Sequence, residues 1–242
     1  MGGSVWVRWA VSLGASSVLL SSATAGNATR FVVADHGYRA VAYPAQPSAE
    51  KKAPIVYLHG ICGKPDRGCD SLAAEATRFG PFVCPRANTA CGQNSTWSGA
   101  TFAQLETVDR AMDLVAAQTH GALDVGRAGI LVGFSQGAYA AVPLVLARPG
   151  RFRALLLVGA NVSIDPKRLL AAGVTRVVLA AGQYDGTYAA MRTIDARLQR
   201  TALESRFVDL GPVGHTFEPS VERTDAMHDA WTWLDAADEV AD

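Results

Sequence analysis

A serine stands at the centre of the pentapeptide Gly133-Phe134-Ser135-Gln136-Gly137, and its surroundings suggest a nucleophile. The apolar run Gly129–Phe134 before it is typical of a buried strand, and a helical stretch, Gln136–Ala147, follows it. A sharp strand-to-helix turn would push the Ser135 hydroxyl out of the sheet edge, beside a helix N-terminus that stabilises an oxyanion. An ordinary Gly-Ser turn is the alternative, because a chain with 23 glycines can contain G-x-S-x-G by chance.

In this strand–turn–helix context the chain resembles the α/β-hydrolases, in which G-x-S-x-G forms the nucleophile elbow. A serine hydroxyl needs a base to take its proton, and the family order of serine, acid and histidine places that base after Ser135. Only His215 and His228 follow. His215 lies in a Gly- and Pro-rich loop after the last predicted strand and is the predicted base, whereas His228 falls within the last predicted helix.

The third catalytic group is predicted to be Asp185, which comes directly after a buried strand and before Gly186. From that position a carboxylate can hold a loop histidine, and the G-x-x-D spacing resembles the acid motif of the family. Asp209 is the runner-up, since it lies six residues before His215, but it falls inside a predicted strand.

The resemblance also implies an oxyanion hole built from two backbone N–H groups. One belongs to Gln136, and the other to Ile61, in the His59-Gly60-Ile61 segment after the strand Pro54–Leu58. His59 is expected to bond backbone in this turn and is not expected to act as a base.

The segment Pro85–Ala100 is polar and loop-like, and whether it forms a lid is left open. Trp97, Tyr184 and Phe217 are candidates for the wall of a substrate pocket, with ordinary loop packing as the alternative. Trp231 and Trp233 lie on the last predicted helix and are expected in the core or at its rim.

Four cysteines lie within 30 residues, spaced C-x6-C-x14-C-x6-C. Zinc sites with four cysteines use closer pairs, so no metal and no cofactor are expected. An even number in an exported chain predicts two disulfides, and four free thiols in a cytosolic chain are the alternative. Three pairings are open. We favour the two short loops, Cys62–Cys69 and Cys84–Cys91, of which the first would brace the segment around Ile61.

The first 25 residues have the three parts of a secretory signal peptide. Arg8 lies in a weakly basic start, an apolar stretch runs from Val11 to Leu20, and Ala23-Thr24-Ala25 forms an A-x-A cleavage site. An N-terminal anchor helix is the alternative, but serines and a glycine interrupt the stretch. Residues 1–25 are therefore predicted to be removed, which leaves a secreted or periplasmic domain of residues 26–242.

The whole chain of 242 residues is 49% hydrophobic and 18% charged, with a formal net charge of zero. This composition is typical of a globular chain and gives no basic stripe for a nucleic-acid partner. No apolar run of about 20 residues follows the N-terminus, so stable membrane insertion is not expected. The oligomeric state is left open.

Apolar runs alternate with helical stretches along the chain, which predicts a doubly wound, mostly parallel sheet of the α/β-hydrolase fold. The fold is expected to start with an antiparallel hairpin and to have no large cap domain. The predicted hairpin joins Arg30–Ala34 and Tyr38–Tyr43; the further strands are Pro54–Leu58, Gly80–Cys84, Gly129–Phe134, Ala154–Val158, Thr175–Ala181 and Arg206–Leu210; the helices are Asp70–Phe79, Phe102–Thr119, Gln136–Ala147, Asp165–Ala172, Thr187–Thr201 and Val221–Ala237.

The resemblance implies a serine hydrolase that cleaves small-molecule carboxylic esters through an acyl-enzyme on Ser135. Thioesterase or peptidase activity on the same three residues is an alternative. A catalytically silent binding protein of the same fold is another, although no position of the expected catalytic set is lost.

Overall fold

A computed structural model describes residues 24–25, 28–46, 52–119, 123–216 and 225–236. Within these residues, a central sheet of eight strands has helices on both faces. The strands are β1 (Thr24–Ala25), β2 (Ala28–Thr29), β3 (Phe31–Asp35), β4 (Tyr38–Tyr43), β5 (Ile55–Leu58), β6 (Phe82–Pro85), β7 (Thr89–Cys91), β8 (Asn94–Thr96), β9 (Gly129–Phe134), β10 (Phe152–Val158), β11 (Arg176–Ala181) and β12 (Glu204–Asp209). The helices are α1 (Pro65–Phe79), α2 (Thr101–Gln118), α3 (Gln136–Ala147), α4 (Pro166–Ala171), α5 (Tyr188–Leu198) and α6 (Asp225–Asp235).

The central sheet has the strand order β12-β11-β10-β9-β5-β6-β4-β3. Its six strands from β12 to β6 are parallel to one another, and β4 and β3 are antiparallel additions at one edge. The predicted N-terminal hairpin is confirmed, since β3 and β4 pair from Phe31↔Ala42 to Asp35↔Tyr38. All parallel strands end at the same edge of the sheet, so the loops that follow them meet there.

The core forms two layers because side chains of the central strands alternate between the faces of the sheet. Val56 and Leu58 pack into the layer under α2, α3 and α5, whereas Ile55 and Tyr57 pack into the layer under α1 and α6. Trp231 of α6 is fully buried in the second layer, and Trp233 packs against its edge. Strands buried on both faces have nearly continuous apolar sequences, which is why their positions could be predicted well.

Several boundaries differ from the prediction. Helix α1 begins at Pro65 instead of Asp70, since proline at the first helical position has its φ already fixed at a helical value. The segment Pro85–Ala100 contains the two-stranded hairpin β7–β8, which turns at Gly92 with a φ of 59°. Most of the predicted signal peptide, residues 1–23, lies outside the described residues. Among the described helices, none combines the length and the apolar character that a bilayer crossing requires.

The favoured cysteine pairing is wrong. Cys69 of α1 bonds Cys84 of β6, and Cys62, in the loop after β5, bonds Cys91 of β7. The Cα–Cα distances of the two pairs are 6.0 and 5.4 Å. The physical reason is tertiary packing. Helix α1 lies on β6, and the β7–β8 hairpin lies on the loop after β5, so each thiol faces a partner distant in sequence.

Candidate active site

The turn between β9 and α3 holds Ser135 in a conformation that few non-glycine residues adopt, with a φ of 53° and a ψ of −116°. Its backbone N–H donates to the Val158 carbonyl at 2.8 Å, which ties the turn to β10. The glycines on either side make the turn possible. A Cβ at Gly137 would overlap the Leu58 carbonyl, and one at Gly133 would overlap the backbone of Ala138. The G-x-S-x-G pattern therefore reflects close packing of strand, turn and helix.

Ser135, His215 and Asp185 form a continuous hydrogen-bonded chain. The Ser135 Oγ lies 2.9 Å from the His215 Nε2, and the His215 Nδ1 lies 2.8 Å from the Asp185 Oδ2. Each residue comes from the loop after a different parallel strand: β9, β12 and β11. When Nδ1–H donates to the carboxylate, Nε2 has a free lone pair that accepts the serine proton. This arrangement can activate a hydroxyl for attack on a carbonyl carbon.

The Asp185 carboxylate is buried and fully engaged. Burial alone would raise the pKa of Asp185, but hydrogen bonds from the Thr187 backbone N–H, His215 and the Thr187 hydroxyl outweigh it. The two Thr187 contacts reach Oδ1 at 2.8 and 2.9 Å, which leaves Oδ2 to His215. The pKa therefore lies below its ordinary value of 3.8, and the carboxylate is ionised at neutral pH.

A glycine that the sequence reasoning missed lies under this pair. Gly159 follows β10 with a φ of 62°, and a Cβ there would lie 3.0 Å from both the Asp185 Oδ2 and the His215 Cε1. Only a residue without a side chain leaves this space to the imidazole and the carboxylate. The available sequence signal was a glycine directly after the buried strand Ala154–Val158, in the run VGAN.

The segment Gly60–Gly63 forms a turn beside Ser135, closed by a hydrogen bond from the Gly63 N–H to the Gly60 carbonyl at 3.0 Å. A Cβ at Gly60 would lie 3.4 Å from the Ser135 Cβ, which shows how close the turn approaches. Ile61, within this turn, is 67% exposed. Gln136 is the first residue of α3, where a backbone N–H has no acceptor within the helix.

His59 holds this turn in place through hydrogen bonds of its ring. Its Nδ1 lies 2.8 Å from the Gly60 carbonyl oxygen and its Nε2 lies 3.1 Å from the Ser95 Oγ, while the ring is almost fully buried. Burial lowers the pKa of His59, so the ring is neutral and Nδ1–H donates to the carbonyl. As predicted, His59 bonds backbone; it belongs to the support of the turn.

The β7–β8 hairpin connects this turn to the turn that holds Ser135. Its bond to Cys62 and the bridge between Gly63 and Ser95 fasten it to the turn. The Gln136 side-chain oxygen accepts from the Thr96 hydroxyl at 2.7 Å and from the Trp97 N–H at 3.0 Å. The two segments expected to supply oxyanion donors are thus held by one small hairpin.

The three predicted pocket residues fare differently. Trp97 is only 3% exposed, and its indole N–H donates to the His59 carbonyl, which favours the alternative of ordinary loop packing. Its ring packs against the His59 ring, with the centroids 5.7 Å apart. Tyr184 is 74% exposed beside Asp185, and Phe217 lies outside the described residues.

The competing acid and base are occupied elsewhere. His228 contacts Glu75 of α1 at 3.0 Å. Asp209 accepts from Tyr188 at 2.7 Å and from the Gln183 amide at 3.1 Å. Neither therefore joins Ser135.

A cleft of about 240 Å³ opens between the Gly60–Gly63 turn, the start of α1 and the His215 loop. Among the described residues, no cluster of histidine, cysteine or carboxylate side chains could hold a metal ion. The lining residues are Tyr57, His59, Gly60, Ile61, Gly63, Lys64, Arg67, Gly68, Phe134, His215 and Thr216.

Several solved structures share this architecture. An S-formylglutathione hydrolase from Agrobacterium tumefaciens has a TM-score of 0.63 and 16% identity, over 91% of this chain and 99% of that one. A carboxylesterase from Mesorhizobium loti has a TM-score of 0.60 and 20% identity, over 86% and 99%. Esterase PE8 has a TM-score of 0.54 and 22% identity, over 81% and 97%. No protein-family model matches the sequence, and no curated protein has a significantly similar one.

Proposed function

We propose that this chain, which has the α/β-hydrolase fold, is an exported serine hydrolase that cleaves carboxylic esters through an acyl-enzyme on Ser135. The observation that carries the proposal is the unbroken chain of hydrogen bonds from Ser135 through His215 to Asp185. The structures similar to it include carboxylesterases, which supports ester hydrolysis.

Acylation begins when the Ser135 Oγ attacks the ester carbonyl carbon and its proton passes to the His215 Nε2. The tetrahedral oxyanion accepts hydrogen bonds from the backbone N–H groups of Gln136 and Ile61. Asp185 holds the imidazole in the required tautomer and stabilises the imidazolium. His215 then gives its proton to the leaving alcohol oxygen, and the ester C–O bond breaks.

Deacylation repeats these steps with water. His215 takes a proton from a water molecule, the hydroxide attacks the acyl carbon, and a second tetrahedral oxyanion forms. When this intermediate collapses, the proton returns to the Ser135 Oγ and the carboxylic acid leaves. Every proton transfer passes through the His215 Nε2, so the geometry that serves acylation also serves deacylation.

Export is the second part of the proposal. Residues 1–25 have the composition of a signal peptide, and two disulfides are typical of proteins in oxidising compartments. Residues 26–242 are then the mature protein, a single hydrolase domain. Cell fractionation with reporter fusions to residues 1–25 tests export separately from activity, and a reporter retained in the cytoplasm contradicts it.

A fluorophosphonate probe tests the chemistry, because it reacts covalently with activated serines. We expect labelling of the wild type and none of Ser135→Ala. His215→Ala should lower kcat by about 10⁴-fold or more, whereas His228→Ala, the matched histidine control, should retain wild-type kcat. A folded wild type that is neither labelled nor active overturns the proposal and favours a silent binding protein.

Substrate panels then separate the three acyl-transfer activities open to this site. We expect p-nitrophenyl esters of short to medium chain length to be cleaved with the highest kcat/KM, ahead of a thioester panel and a peptide panel. A thioester or peptide panel that surpasses every ester would refute ester hydrolysis while leaving Ser135 as the nucleophile.

A further inference from the structure

The cleft beside His215 and the Gly60–Gly63 turn has a positively charged lining. Lys64 and Arg67, at the beginning of α1, are its cationic residues, and none of its described lining residues is acidic. Gly60, Ile61 and His215 line the same cleft. A substrate whose carbonyl lies between His215 and the Gly60–Gly63 turn therefore has Lys64 and Arg67 within the same cavity.

The acids nearest in sequence are neutralised by other arginines. Asp66 lies 3.2 Å from both Arg30 and Arg39, and Asp70 lies 3.4 Å from Arg30. Asp70 also accepts a hydrogen bond from Tyr43 at 2.6 Å. Lys64 and Arg67 are both exposed, and neither has a carboxylate partner among the described residues.

A buried hydroxyl lines the same cleft. Tyr57 is 2% exposed, and its phenol oxygen has no hydrogen-bond partner among the described residues. The absence of a side chain at Gly68 makes room for it, because a Cβ there would overlap the Tyr57 hydroxyl. Burial raises the pKa of Tyr57, so the group remains a neutral O–H donor. Because Tyr57 lines the cleft, its hydroxyl can donate a hydrogen bond to a ligand oxygen there.

The start of α1 adds further positive potential. The helix has 15 residues, and Lys64 at its N-cap makes no side-chain cap hydrogen bond. The N–H groups of its first turn have no acceptors within the helix, and the helix dipole places partial positive charge there. Lys64, Arg67 and Gly68 of this helix start line the cleft together with the Tyr57 phenol.

We propose that the natural substrate is an ester that carries an anionic group, a carboxylate or a phosphate, on the part that occupies this cleft. Lys64, Arg67 and Tyr57 bind the anionic group, while Gly60, Ile61 and His215 surround the scissile carbonyl. The inference rests on the proposed function and adds a substrate class to it.

Matched substrate pairs test this inference and separate the two kinds of anion. On the acyl side, mono-4-nitrophenyl glutarate is compared with 4-nitrophenyl pentanoate. On the alcohol side, 4-acetoxybenzoate and 4-acetoxyphenyl phosphate are each compared with the neutral 4-acetoxybenzamide. We expect kcat/KM to be roughly tenfold higher for the anionic member of at least one pair, and the ratio to shrink at high salt.

Single substitutions then locate the preference. Lys64→Gln and Arg67→Gln should each lower the ratio of anionic to neutral kcat/KM by roughly three- to tenfold, mainly through KM. Tyr57→Phe should lower it by a similar factor. Lys167→Gln and Arg200→Gln are the matched controls, since both cations are exposed and lie outside the cleft lining. We expect these controls to retain the wild-type ratio.

The outcomes distinguish the two proposals. An enzyme that cleaves neutral esters but shows no anionic preference, or whose ratio is unaffected by Lys64→Gln and Arg67→Gln, refutes the anion site and leaves the Ser135 chemistry standing. If no ester is cleaved, the proposed function fails, and calorimetry with glutarate and phenyl phosphate still decides the site. Binding that disappears in the Lys64→Gln/Arg67→Gln variant supports it, and absent or unchanged binding overturns it.

Discussion

The two disulfides should contribute similarly to stability but differently to catalysis. We expect the double variant Cys62→Ala/Cys91→Ala to lose activity because its bond fastens the β7–β8 hairpin to the Gly60–Gly63 turn. The matched control, Cys69→Ala/Cys84→Ala, removes a bond between α1 and β6 within the second core layer, which does not fasten the hairpin to that turn.

The expected loss of stability follows from the loops that the bonds close. The partners of Cys62–Cys91 are 29 residues apart in sequence, and those of Cys69–Cys84 are 15 apart. In the loop-entropy model these closures contribute about 3.6 and 3 kcal/mol to the free energy of unfolding. Each double variant should therefore lower Tm by about 6–14 °C. The control also loses the packing of two buried sulfurs, so its decrease should be at least as large.

The expected loss of activity follows from the oxyanion donors. Removing one such donor costs about 10²–10³-fold in kcat. A displaced Ile61 N–H is still present, and His59 still holds the turn, so Cys62→Ala/Cys91→Ala should lose about 10–100-fold in kcat. Rates with 4-nitrophenyl acetate, measured well below both Tm values, make the comparison. Equal kcat in the two folded double variants, whether reduced or not, refutes the argument that Cys62–Cys91 preorganises this turn.

Three further predictions concern residues that pack against, or hydrogen-bond near, the proposed catalytic residues. Gly159→Ala should lower kcat by roughly 10–100-fold, because its Cβ displaces the imidazole or the Asp185 carboxylate by a few tenths of an ångström; steady-state kinetics measure this. Thr187→Val should raise the pKa of Asp185 by removing a hydrogen bond to its carboxylate. Since the folded pKa lies below the unfolded one, ionised Asp185 stabilises the fold above the unfolded pKa, and this stability is lost as the pH falls through the folded pKa. Acid unfolding should therefore begin at a higher pH in Thr187→Val, as followed by thermal melts across the acid range. Gln136→Leu should lower the free energy of unfolding by about 1–3 kcal/mol in denaturant titrations, because the Trp97 N–H loses its acceptor.

Matched controls separate these effects from general destabilisation. Gly150 has a φ of 78° and open space around its Cβ position, so Gly150→Ala pays the same backbone cost and should retain kcat. The Thr193 hydroxyl donates to the Ala189 carbonyl within α5, so Thr193→Val should leave the acid transition in place. Wild-type kcat in Gly159→Ala, an unmoved acid transition in Thr187→Val, or an unaltered denaturation midpoint in Gln136→Leu would each contradict its prediction.

Much of the fold could be predicted from local patterns in the sequence. The buried strand Gly129–Phe134 and the helix Gln136–Ala147 have the bounds that the sequence predicts, because an apolar run and a glycine-flanked turn are both properties of neighbouring residues. Asp185 and His215 could be singled out for the same reason, since each lies just past a predicted strand. Helix α1 was placed five residues late because Gly68 and the polar start obscured its first turn.

Residue types and their spacing along the chain determined the parallel sheet, the nucleophile turn and the candidate acid and base. Tertiary packing alone decided the cysteine pairing, the burial of Trp97, the need for glycine at position 159 and the association of Lys64, Arg67 and Tyr57 in one cleft. The physical reason is that secondary structure depends on contacts a few residues apart, whereas these features depend on which surfaces meet. Cys62 finds Cys91 because a hairpin folds onto its turn, and no spacing in the sequence encodes that contact.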